Sequence, residues 1–131
     1  MYSDIAYKSI ITTVEFCSIR HLFIRINKAI NIDSSKTSMI EESKVILIRT
    51  LEYLLKRRRI KLVFFGISKE NINYLNHSAN IYEQLDFLRN SFPTEYDKDI
   101  PDKDIMNLWW FIYCPVIIGW KTHLGQYLFI E

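Results

Sequence analysis

The side chains able to do chemistry in this sequence are few and scattered. His21, His77 and His123 are its three histidines, scattered along the chain, and no two of them stand at metal-ligand spacing. Cys17 and Cys114 form no CxxC pair. A thiol becomes a nucleophile only when a base or a cation favours its thiolate. Cys114 lies inside the uncharged run from Leu108 to Trp120, LWWFIYCPVIIGW, which marks it as an inert core thiol. Both cysteines read as reduced, buried thiols, because 131 residues suffice to fold without disulfide staples. The carboxylates Glu95, Asp97, Asp99, Asp102 and Asp104 crowd one stretch, TEYDKDIPDKDIMN at 94–107, but it lacks the glycine and distal glutamate of a calcium loop. No paired nucleophile and base, metal set or cofactor motif emerges, so the expectation is a protein that is not an enzyme.

The same charges make better sense as contact surfaces. Against Lys98 and Lys103, the five carboxylates leave residues 94–104 at −3, with Tyr96 as an aromatic anchor inside the loop. Such a loop suits a basic partner, since opposed potentials speed encounter and reject wrong partners. Lys56, Arg57, Arg58, Arg59 and Lys61 give the opposite signal. They support an alternative reading as a small nucleic-acid-binding protein, although cations at a helix C-terminus are also expected from the helix dipole. The net charge of +2 conceals a split: residues 1–66 hold twelve Lys/Arg against six Asp/Glu, and residues 67–131 hold five against nine. Polarity of this kind steers association without dictating the fold.

The elements that must position these residues follow from periodicity. Ser3 or Asp4 can cap a first helix to about Phe16. A firmer second helix from Ser18 carries Ile19, Leu22, Phe23, Ile26, Ala29 and Ile30 on one stripe. Residues 31–38 read as a turn, and Ser38 with Glu41 as a capping box. That box opens the best-formed helix, to about Arg58. Residues 60–66, IKLVFFG, read as a strand, and the Asn-rich 67–78 as an irregular connection. Ser78 caps a helix through Ser91, which Phe92-Pro93 stops. Leu108–Tyr113, Val116–Trp120 and Tyr127–Ile130 read as three strands, because β-branched and aromatic residues flank an internal proline. The expected fold is α+β and a single domain over 1–131: N-terminal helices plus one later helix, packed on a small, mostly antiparallel sheet that ends in a three-stranded meander.

Three segments resemble a known family: FCSIRHLFIRI at 16–26, VILIRTLEYLLKRRRIKL at 45–62, and EQLDFLRNSFP at 83–93 followed by WWFIYCPVIIGW at 109–120. Glu83, Gln84, Arg89, Phe92, Pro93, Trp109, Trp110, Cys114, Pro115 and Trp120 carry the match. The family is a group of small bacterial proteins catalogued as a domain of unknown function. Some of its members are immunity proteins of contact-dependent growth inhibition systems. The resemblance implies a cytoplasmic protein that binds the C-terminal toxin domain of a cognate secreted effector and blocks its active site. The toxin expected is a nuclease, including a ribonuclease-like type. One departure stands out: where the family pattern has a glycine after the leucine-rich helix, this chain has Arg58-Arg59. The start, MYSDIAYKSIITTVEF, lacks the basic, then apolar, pattern of a signal peptide, which agrees with a cytoplasmic expectation.

Overall fold

The computed structural model describes residues 16–29 and 37–130. The helix expected up to about Phe16 and the turn at 31–38 lie largely outside these residues. Helix α1, Ile19–Ala29, starts where the Ser18 hydroxyl accepts a hydrogen bond from the His21 amide, and it buries Ile19, Leu22, Phe23 and Ile26. Helix α2, Thr37–Lys56, already includes Ser38, so Ser38 lies within the helix and is not its cap. Ile40, Leu47, Leu51 and Leu54 form the buried stripe of α2, in agreement with its periodicity.

The end of α2 explains the missing glycine. The Arg59 amide donates to the Leu54 carbonyl and the Arg58 amide to the Leu55 carbonyl, which together make a Schellman cap. That cap needs a left-handed residue, and Arg58 supplies it with φ of 55°. The chain therefore keeps the glycine geometry and bears the steric cost of a Cβ there.

Strand β1, Ile60–Phe64, follows directly. Residues 67–78, expected to be irregular, contain helix α3, Lys69–His77, with Ser68 as N-cap. Its asparagines hid it, and one of them has a structural task. The Asn76 amide accepts from the Phe64 N–H at 2.8 Å and donates to the Phe64 carbonyl at 3.0 Å, closing that stretch of the β1 edge. Ser78 is not the cap of the next helix; its amide closes α3 onto the Tyr74 carbonyl. Helix α4, Ile81–Ser91, begins instead at Asn80, in a reciprocal capping box with Glu83.

The largest correction concerns Leu108–Tyr113. It is a helix, α5, Leu108–Ile112, and not a strand. Strand β2, Val116–Lys121, starts immediately after Pro115, where a missing N–H costs the ladder nothing. Strand β3, Tyr127–Ile130, completes the sheet through the expected turn at 122–125. The sheet is three-stranded and antiparallel in the order β1-β2-β3, so β1 occupies the place expected for 108–113. Ile60 faces Trp120, Leu62 faces Ile118 and Phe64 faces Val116, and these pairs form the buried side. Helices α1, α2 and α4 add their apolar stripes to the same core, which gives the expected α+β class.

Arg58→Gly should raise stability, because relief of the left-handed Cβ outweighs the added freedom of the unfolded chain. The net gain expected is about 0.5–1 kcal/mol. Arg58→Val, β-branched in the same conformation, should lose at least as much, and urea unfolding of the three proteins checks both signs.

Candidate partner-binding surface

The 94–107 stretch is ordered by its own polar groups. The Asp97 carboxylate accepts from the Asp99 amide at 2.9 Å, and the Asp97 amide donates to the Lys103 carbonyl. A 3-10 turn at Pro101–Lys103 tightens the loop, and Lys103 pairs with Glu95 at 2.9 Å. The Glu95 carboxylate beside it raises the Lys103 pKa above the usual lysine value. Asp99 and Asp102 are exposed.

Two of the six residues expected to meet a partner have other positions. Asp104 is buried, with its carboxylate accepting from the Leu108 amide at 3.1 Å and its carbonyl from the amides of Asn107 and Trp109. It organises the start of α5 and is turned away from solvent. Tyr96 is half-buried and packs against the core, so it is no projecting anchor. Glu95, Asp97, Asp99 and Asp102 remain as the outward charge.

Helix α5 supplies the apolar residues that sequence reasoning assigned to the core. Trp109 and Trp110 point inward, about 100° apart around a helix. The remaining arc presents Leu108, Phe111 and Ile112, with Tyr113 beyond it; Phe111 is 69% exposed and Ile112 59%. Arg20 of α1 braces this ridge, its guanidinium 5.5 Å from the centre of the Phe111 ring and its Nη2 donating to the Met106 carbonyl at 3.3 Å. One signal could have revealed the ridge. An aspartate four residues before Leu108, which two adjacent tryptophans follow, fits the start of a short helix with one buried side.

Beside the ridge lies a cleft of about 790 Å³, walled by the Phe16–His21 stretch, Trp110 and Phe111, the sheet residues Val63, Ile117 and Ile130, and Phe65 just beyond β1. Among the described residues its lining is mainly apolar and holds no carboxylate. Among the described residues that line it are Cys17, whose thiol burial pushes up to about 11, and Ser18, whose hydroxyl lies 3.4 Å from His21 Nδ1. Burial likewise pushes the Cys114 thiol up to about 12, and its Sγ–H donates to the Val116 carbonyl. Neither sulfur is poised for attack near neutral pH. Among the described residues, no three His, Cys, Asp or Glu side chains gather as a metal site, and no helix is long and apolar enough to cross a membrane.

The basic segment is divided by the fold. Lys56 pairs with Glu52 at 3.4 Å and lies over the Tyr82 ring, while Arg57 stacks on Tyr53 at 3.6 Å. Arg58 is committed to the helix cap. Arg59 borders a hollow with Lys121 and His123, and Lys61 projects from β1. The five cations therefore serve different surfaces.

A family profile described as "Protein of unknown function, DUF596" matches residues 55–129, from the last turn of α2 through β3. No curated protein and no solved structure matches the chain.

Asp104→Ala should cost about 1–2 kcal/mol, since it deletes the buried acceptor of the Leu108 amide. Asp99→Ala and Asp102→Ala, both at exposed positions, should stay within about 0.5 kcal/mol. Thermal melts separate the two outcomes. The thiols give a pH test. Their folded-state values lie above the unfolded ones, so their contribution to stability is complete below about 8.5 and is lost as pH rises toward the folded values. Unfolding free energy should fall between pH 8 and pH 10, and less steeply in Cys114→Ala.

Proposed function

We propose, from the premise that this chain belongs to the DUF596 family of proteins of unknown function, that it is an inhibitory binding protein. In this reading it is an immunity protein that neutralises the C-terminal toxin domain of a contact-dependent growth inhibition effector. It acts in the cytoplasm and makes or breaks no bonds itself. One observation carries the reading: the exposed apolar ridge of α5 is flanked by the acidic loop, with the 3-10 turn at Pro101–Lys103 packed directly against the helix.

An apolar centre with a charged rim is the anatomy of a protein–protein contact. Its acidic sign suits a basic partner surface, and a nuclease must have one to hold phosphate. Seated there, Phe111 and Ile112 supply the desolvated contact. Asp99 and Asp102 speed the approach and exclude partners of like charge. The stiffness of the loop, held by Asp97 and by the Glu95–Lys103 pair, limits the entropy lost on docking.

The test is binding to, and protection from, the toxin encoded immediately upstream. Nanomolar affinity is expected. Phe111→Ala with Ile112→Ala should weaken binding at least tenfold, mainly through faster dissociation. Asp99→Lys with Asp102→Lys should slow association and flatten its salt dependence. Equal killing of cells with and without this protein would sink the reading, as would affinity indifferent to both pairs of substitutions.

A further inference from the structure

The second face of the sheet has a chemistry of its own. Strand alternation turns Lys61, Gly119 and Phe129 outward in one row across the three strands, with Lys121 and Tyr127 paired in the row beside it. Of the residues on this face only Gly119 is buried, and the reason is local. The Phe129 ring lies directly upon it: a Cβ at position 119 would come within 2.5 Å of Phe129 Cε1. The glycine thus lets the ring lie down on the sheet, with its other side open to solvent and the residue 41% exposed. Phe65, on the same face of the chain leaving β1, is 45% exposed.

Charge on these segments is one-sided. Among the described strand residues, this face carries Lys61 and Lys121 and no carboxylate. Exposed rings on a face that carries two lysines match what an unpaired nucleic-acid strand requires: platforms for its bases and cations for its phosphates. A duplex keeps its base faces stacked and cannot use the rings. An acidic peptide would engage the cations and leave the rings wet.

We propose that this open sheet face binds single-stranded nucleic acid, with Phe129 and Phe65 stacking on bases and Lys61 and Lys121 holding phosphates. The inference goes beyond the inhibitory reading and stands independently of it. The two surfaces meet at the cleft, where Phe65 and Phe111 both form walls, but they differ in their charged residues. Variants of Asp99 and Asp102 test one, and variants of Lys61 and Lys121 test the other.

Fluorescence anisotropy of the full chain with labelled oligo-U and oligo-dT of about twelve nucleotides reads the proposal, with circular dichroism confirming that each variant is folded. Binding at low salt is expected to weaken with added salt. Lys61→Glu and Lys121→Glu should each reduce the log–log salt slope by about 0.7. Phe129→Leu keeps Gly119 covered yet removes the aromatic face, and it should weaken binding about tenfold without changing the slope. The proposal is overturned if the wild-type chain binds neither oligonucleotide at low salt, or if the lysine variants bind as tightly as the parent. It is equally overturned if a duplex of the same length binds as well, or if poly-glutamate competes as strongly as the oligonucleotide.

Discussion

The packed rings of Phe92, Trp109 and Trp110, the tryptophans on a helix whose Leu108 amide donates to the Asp104 carboxylate, are the contact on which the rest of the arrangement depends. Phe92 stacks on Trp109 with centroids 4.7 Å apart, Trp110 meets Trp109 edge-on at 4.9 Å, and Phe23 of α1 reaches Trp110 at 5.1 Å. One cluster thereby ties the end of α4, the whole of α5 and the middle of α1 together. Aromatic pairs of this kind contribute about 0.5–1.5 kcal/mol each beyond the area they bury. Their geometric consequence matters more. Because two adjacent tryptophans of a five-residue helix must both face inward, Phe111 and Ile112 have nowhere to go but out.

The sheet is held at a second anchor. The Trp120 indole N–H donates to the Cys17 carbonyl at 2.7 Å, tying the central strand to the segment that leads into α1. Asn76 fixes α3 against the opposite side by saturating both backbone groups of Phe64. These bonds are few, but each satisfies a backbone group that would otherwise be left without a partner away from water. Together with the aromatic cluster they settle which face of the sheet is dry and which is wet.

That settlement turns a charge imbalance along the sequence into a charge imbalance in space. The acidic half of the chain places its carboxylates on the loop before α5 and on the outer sides of α3 and α4. Among its described residues the sheet carries Lys61 and Lys121 and no carboxylate. A body polarised this way offers two chemically opposite surfaces, and the apolar cleft lies where they meet.

Much of the α+β architecture was legible from periodicity. The stripes of α1 and α2, the strands β1, β2 and β3, and the turn between the last two follow from apolar spacing, which reports burial directly. The same reasoning failed at residues 67–78 and 108–113. In the first, an asparagine whose partner is a distant strand looked like loop composition. In the second, a β-rich run was held helical by an aspartate and an aromatic cluster assembled from three elements. The sequence by itself determined how much apolar surface had to be hidden and where the cations and carboxylates lie along the chain. Only the tertiary structure decided that Asp104 is buried, that Phe111 and Ile112 are exposed, and that the basic segment is divided between surfaces. Hydrophobic periodicity is local, whereas the direction a side chain faces in a short helix is set by contacts with residues far away in sequence.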